Sequence, residues 1–384
     1  MRVGFLLNHY AVHQVPHVVP YALELSRHYP EFEVVIACSS RRELLTARAI
    51  SELYPHHRCR FKRLRPVWYY QFADPFVYQW KFKRKEMVLR NNLAFFRTLN
   101  ALVAPERHCL RLQRRHGLTN LKFINVRHGA GDREGSFDDR SEAFDLTLLP
   151  GQKYVDRLTE LDYLRSDSYA VVGWPKFEVV AATPPKAKRF FANDKPIVVY
   201  NPHFEQDVSS WQTVGLQVLD FFATTHKYNL IFAPHVILFK RNKRHQAVLP
   251  TKYSHLPNIL IDTKSDSLTD MTYILAADIY LGDVSSQVYE FLLQPRPCIF
   301  LNAHNVQWED NPYYSHWRLG KVVNDVATEL PLALELAYPS HPQFLAKQRG
   351  AFAYTFRIDV EGTAARRGAE AIAKFLQATG SNEA

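Results

Sequence analysis

The chain has 384 residues, 47% hydrophobic and 13% aromatic, and carries a formal charge of +10. That length suits two domains, and the apolar content is enough for two packed cores. A membrane-spanning helix needs about 20 apolar residues, whereas one of the longest uncharged runs here, residues 230–239, is ten long and broken by Pro234 and His235. The opening Met1-Arg2-Val3-Gly4-Phe5-Leu6-Leu7 passes directly into Asn8 and His9. It lacks the apolar core and small-residue cleavage site of a secretion signal, so it reads as a first strand and the expected location is the cytoplasm. Cys38, Cys59, Cys109 and Cys298 are scattered without metal-ligand spacing, which predicts reduced, buried thiols.

In chain order, short apolar runs alternate with helical patterns, as expected for parallel sheets with crossover helices. The first half reads as a strand at 3–7, a helix at 18–28 and a strand at 33–37. A basic helical region follows, then strands at 122–126 and 145–149, a helix after Gly151, and a strand at 169–172 leading into Gly173-Trp174-Pro175. The basic region holds Arg41-Arg42, Arg58 to Arg65, Lys81 to Lys85 and Arg111 to Arg115, with Trp68, Tyr69, Tyr70, Phe72, Phe76, Tyr78 and Trp80 interleaved. Cationic and aromatic residues together suit an anionic membrane surface. No nucleic-acid-binding motif accompanies them, so no nucleic-acid partner is expected. The plainer reading is a solvated basic face.

Residues 181–196 have no apolar period and contain Thr183-Pro184-Pro185, which marks a linker. The alternation then restarts, with strands at 197–200, 229–233, 258–261, 278–281 and 298–301. Helices are expected at 209–222, 268–276, 285–294 and 363–376. The expected domains are therefore 1–180, an acceptor-side half with the basic insertion; 181–362, a donor-binding half; and 363–384, a C-terminal helix. The fold class is α/β of GT-B type, two Rossmann-like domains whose parallel sheets face a central cleft. Ligands of such sheets bind at the carboxyl ends of strands. The loop after the first strand lacks GxGxxG, which argues against a nicotinamide or flavin site there.

Four segments carry candidate chemistry. In Gly282-Asp283-Val284-Ser285-Ser286 a strand passes through a small polar loop into a helix, whose free amides suit a phosphate. Ser285, Ser286 and Glu290 are left facing away from the core, and Glu290 is placed to take ribose hydroxyls. Arg127-His128-Gly129 follows a strand, so His128 can act as a general base towards an acceptor hydroxyl, with Gly129 allowing close approach. Ile231 to His235 and Val199 to His203 are further strands ending in histidine. Histidines at matching strand ends of two opposed domains are expected to face each other across the cleft. The acidic residues Asp132, Glu134, Asp138, Asp139 and Glu142 lack regular ligand spacing, so no metal is expected.

The ordered set resembles the CDP-glycerol glycerophosphotransferase family, the transferases of teichoic-acid and capsule polymers. The residues that carry the likeness are His128-Gly129, Gly173-Trp174-Pro175-Lys176-Phe177-Glu178, Tyr200-Asn201-Pro202-His203, His235-Val236, Ala277-Asp278, Asp283-Val284-Ser285-Ser286 with Glu290-Phe291, and Arg296-Pro297-Cys298-Ile299-Phe300. Val284 stands where the family has Tyr, and His203 and Glu205 stand where it has Thr and a basic residue. The resemblance implies transfer of a glycerol-phosphate-type group from a CDP-activated donor to a glycan or lipid-linked acceptor. It implies His128 and His235 as catalytic residues, and His203, Asp283, Ser285, Ser286, Glu290 and Gly129 around the donor phosphates. No cofactor beyond the donor is implied. Two alternatives share the residues: a glycosyltransferase using a CMP- or UDP-sugar, and a catalytically silent glycan-binding protein.

Overall fold

The computed structural model describes residues 1–8, 11–67, 81–184, 189–239, 249–358 and 361–381. The chain divides into two compact units. Unit 1 comprises Met1–His128, Phe137–Thr183 and Thr355–Ala384; unit 2 comprises Gly129–Ser136 and Pro184–Tyr354. A boundary between the units follows Thr183. The loop after His128 belongs to unit 2, and the C-terminal helix is part of unit 1 rather than a separate piece.

In unit 1 the strands are β1 (Arg2–Leu7), β2 (Glu33–Cys38), β3 (Arg60–Arg63), β4 (Ala101–Ala104), β5 (Lys122–Val126), β6 (Leu146–Leu149) and β7 (Tyr169–Val171). They form one parallel sheet in the order β3-β2-β1-β4-β5-β6-β7. Side chains alternate between two apolar layers. Val3, Phe5 and Leu7 join a core that includes α1 (Val15–His28), while Leu6, Val35 and Ala37 join one on the opposite face. Burial on both faces explains why these strands read as continuous apolar runs. Helix α1 starts at Val15 rather than 18 because Pro16 lies in its first turn, where a missing amide is no loss.

Part of the basic region is extended rather than helical. After α2 (Arg41–Ser51), Arg60-Phe61-Lys62-Arg63 is the sheet's edge strand, pairing with β2 alone. Its alternating charge discourages further strand addition there. Helix α3 (Lys81–Asn91) comes next; the aromatic run from Trp68 to Trp80 lies outside the described residues. Helices α4 (Arg111–His116), α5 (Gln152–Glu160) and α6 (Lys176–Ala182) complete this part of the unit.

In unit 2, β8 (Ile197–Asn201), β9 (Asn229–Phe232), β10 (Ile259–Ile261), β11 (Ile279–Gly282), β12 (Cys298–Leu301) and β13 (Lys321–Val323) form a parallel sheet in the order β10-β9-β8-β11-β12-β13. Counted within each unit, both sheets share the order 3-2-1-4-5-6 of a Rossmann fold, and unit 1 adds a seventh strand beside the sixth. The crossovers include α7 (Trp211–Thr224), α8 (Thr272–Ala276) and α9 (Gln287–Phe291), and α10 (Val326–Glu335) and α11 (Pro342–Thr355) follow the last strand. Two are shorter than their patterns suggested. Met271 adopts a left-handed φ of 71° and delays α8, and α9 is only five residues long. The final helix, α12 (Ala364–Ser381), places Ala369, Ile372, Ala373 and Leu376 in the same core as α1.

Several residues of the motif set hold the frame. Glu178 on α6 accepts the Ala364 and Ala365 amides at the start of α12, and burial raises its carboxyl to about 7. Arg296 donates to the carbonyls of Ile274, Leu275, Ala277 and Phe291, closing the ends of α8 and α9. Among the described residues no helix is long and apolar enough to cross a membrane.

Candidate functional site

A parallel sheet opens where neighbouring strands send their crossovers in opposite directions, which here means β8/β11 in unit 2 and β1/β4 in unit 1. Histidines cluster at both places.

In unit 2 the organising group is Asp283, just past β11 and 1% exposed. Its carboxylate accepts the His203 amide at 2.9 Å, the Ser210 amide at 2.6 Å, the Ser210 hydroxyl at 2.7 Å and its neighbour Val284's amide at 2.7 Å. Burial pushes the carboxyl above its usual range, while these donors pull it back. Asp283 thus ties the loop after β8 to the loop after β11. It is a framing group whose oxygens accept from loop donors.

His203 lies in the tied loop, 4% exposed. Burial, then the charges of Arg133 and His235, lower its pKa to about 2, so the ring is neutral. Its Nδ1 accepts the Glu205 amide at 3.1 Å, which leaves the ring hydrogen on Nε2. His235 follows β9, half-buried, its ring centroid 5.3 Å from that of His203. Its Nδ1 accepts the Ile237 amide at 3.3 Å, again leaving Nε2 to carry the hydrogen. Both rings are therefore keyed as hydrogen-bond donors. Phe204 packs against each, with centroids at 4.4 and 4.5 Å. Arg133 pairs with Glu205 beside them.

Beyond Asp283, Ser285 Oγ accepts the Gln287 amide at 3.3 Å and caps α9 from outside. With barely more than one turn, α9 supplies little of a macrodipole, so any anion affinity here rests on the loop amides. Ser286 is half-buried, and Glu290 is 6% exposed. A Cβ added at Gly131 would stand 3.3 Å from that of Ser286, while one at Gly129 would meet nothing within 4 Å.

His128 ends β5 in unit 1. Its Nε2 is 3.0 Å from Gln14 Nε2, and the same amide nitrogen donates to Glu106 Oε1 at 2.7 Å. The amide can only donate, so His128 Nε2 presents a lone pair. Glu106 Oε1 lies 3.5 Å from it. Two residues missing from the sequence reading join this group. His13 stacks at a tilt, its centroid 6.5 Å from that of His128. His17, in the first turn of α1, is 3% exposed and packs edge-on against Trp174 at 4.4 Å. Burial, then Lys176, His128 and His13, hold His17 well below the usual imidazole range. The signal was the i, i+4 spacing of His13 and His17 next to Gln14, passed over because the loop was judged only for its missing glycines.

Three of the acidic residues after His128 pair with basic side chains. Asp138 pairs with Arg127, Asp139 with Arg107, and Asp132 with His316.

No protein-family model and no curated protein sequence matches the chain. Solved structures do. The wall teichoic acid polymerase TagF, in a variant soaked with CDPG and also unmodified, aligns with a TM-score of 0.62 at 13% identity, covering 98% of this chain and 89% of that one. A UDP-GlcNAc 2-epimerase from Neisseria meningitidis, bound to UDP-GlcNAc, aligns with a TM-score of 0.57 at 13% identity, covering 98% and 100%. The S. aureus MnaA–UDP co-structure aligns with a TM-score of 0.60 at 12% identity, covering 98% and 95%. At such identities the likeness is one of architecture: the chain has the GT-B fold, built from two Rossmann-like units.

Proposed function

We propose that the chain is a transferase that moves a polyol-phosphate group, of glycerol-phosphate type, from a CDP-activated donor to a hydroxyl of a glycan or lipid-linked acceptor in cell-surface polymer synthesis. The observation that carries this reading is the pair His203 and His235, side by side at strand ends and each keyed to offer Nε2–H. Two such donors suit the negative charge that grows on the bridging oxygen as CMP leaves, and each well-aimed donor contributes about 3 kcal/mol to a transition state. The shared fold with TagF and the ordered motif set support the choice of donor.

In this reading the Ser285 and Ser286 amides hold the donor phosphates, Glu290 is the candidate for the ribose hydroxyls, and Gly129 leaves room for the ligand. The acceptor hydroxyl replaces the Gln14 amide at His128 Nε2 and gives up its proton there. Its oxygen attacks the β-phosphorus, the bond from that phosphorus to the bridging oxygen breaks, and CMP departs with the electron pair. Unit 1 also offers exposed Arg60, Lys62 and Arg65 to an anionic lipid surface, which would place the enzyme peripherally on a membrane.

The test is nucleotide release from CDP-glycerol, CDP-ribitol, CMP-sugars and UDP-sugars. CMP from a CDP-polyol supports the proposal. Release from a sugar nucleotide selects the glycosyltransferase reading, and binding without release selects the silent glycan-binding one. His128→Ala and His235→Ala should each lower turnover about 100-fold or more; near-normal turnover in either removes the mechanism.

A further inference from the structure

The loop Gly129–Ser136 leaves the sheet that β5 belongs to and packs in unit 2. Its anchor is Asp132, 4% exposed. One carboxylate oxygen, Oδ2, accepts the Tyr289 hydroxyl at 2.6 Å and the His316 amide at 3.1 Å, and lies 3.0 Å from His316 Nδ1. The other ring nitrogen of His316, Nε2, is 3.1 Å from the carbonyl oxygen of Asp283, which also accepts Trp317 Nε1–H at 3.0 Å. His316 and Trp317 are 1% and 2% exposed.

Counting hydrogens fixes what this group is. A carbonyl only accepts, so His316 Nε2 bears a hydrogen. The contact between Nδ1 and Oδ2 needs a second hydrogen, carried by one atom or the other. The pair therefore holds two hydrogens and is neutral as a whole, whether written as imidazolium and carboxylate or as imidazole and carboxylic acid. A neutral pair escapes most of the penalty that an isolated buried charge would meet.

From this geometry we infer that Asp132 and His316 form a clasp that positions the donor loop. The clasp holds the Asp283 carbonyl from one side through His316 and Trp317. The Asp283 carboxylate holds the following amide, that of Val284, from the other. The peptide plane leading into Ser285 and Ser286 is thus pinned at both ends, and Gly131 backs directly onto Ser286. Asp132 and His316 are positioning residues: they touch no reacting atom, and they set where the loop amides point. As a statement about catalysis the inference rests on the donor reading above; as a statement about the loop it does not.

The test therefore has two readouts, in Asp132→Ala, His316→Gln and Tyr289→Phe. The last removes one hydroxyl and one bond, and stays informative if the others fail to fold. Hydrogen exchange of the 283–287 amides should quicken about tenfold or more in each variant, with the rest of unit 2 unchanged. The donor KM for CDP-glycerol should rise about tenfold in Asp132→Ala and His316→Gln and about threefold in Tyr289→Phe, with kcat within about threefold of wild type. Unchanged exchange at 283–287 overturns the clasp. Faster exchange with an unchanged donor KM overturns its positioning role. Faster exchange in a protein whose wild type takes no CDP-polyol refutes the donor reading and leaves the clasp in place.

Discussion

The two units share a strand order and place histidines at the same corner of the sheet, yet they hold those corners differently. In unit 2 one buried carboxylate, Asp283, gathers amides from two loops, and a second, Asp132, steadies the same carbonyl from outside. In unit 1, His128 meets the side chains of Gln14 and the half-buried Glu106. Backbone tied to a buried acid cannot adjust cheaply, whereas side chains on a rim can. A rigid corner suits a ligand of one fixed shape; a compliant one suits a ligand that varies.

That contrast can be broken by substitution. The largest effect should come from Asp283→Ala, which strands several buried donors and should cost about 3–5 kcal/mol. Glu106→Ala in unit 1 should cost under about 1 kcal/mol. Denaturant midpoints compare the two, and equal losses would erase the distinction. Next comes pH. The folded pKa of His203 lies at about 2, below the unfolded value of about 6.5. Between those values the unfolded chain binds the extra proton, so stability falls as pH drops, by up to about 1.4 kcal/mol per pH unit for that proton. His203→Gln should flatten this slope in melts from pH 7 to 5, and an unchanged slope would mean the ring is not held neutral. Smaller still is a pair of glycine changes. Gly131→Ala should cost about 1–2 kcal/mol through crowding on Ser286. Gly129→Ala should leave the melting temperature within about 1 °C and affect only turnover; a large drop would show that the space beside it is filled.

Much of the architecture was legible because buried parallel strands read as apolar runs: β5 and β12 fall where those runs place them. Two strands were missed. Ala101–Ala104 lies within the basic region, and Lys321–Val323 is a three-residue strand that opens on a lysine; each is a strand because a neighbouring strand supplies hydrogen bonds, not because of a local pattern. Arg60–Arg63 looked like part of a basic helix because charge outweighed its two-residue alternation. At the site, sequence found the histidines at strand ends but misjudged Asp283, since the amides it accepts lie 73 and 80 positions away. The bond from Asp132 to His316 spans 184 positions and leaves no local trace.

The way the two units exchange segments bears on how the chain is born. Unit 2 needs residues 129–136, already made before its sheet begins, and unit 1 needs α12, which emerges after unit 2. With roughly 170 residues between Thr183 and Thr355, about 10–30 s of ribosome time separates the strands of unit 1 from its later stretch at about 5–20 residues per second. Until then the flank of α1 that faces Gly368 and Ile372 stays uncovered. Neither half can be completed before the other has been started, so maturation is a single late event, and a nascent chain stalled anywhere before α12 carries an open apolar surface for chaperones to shield.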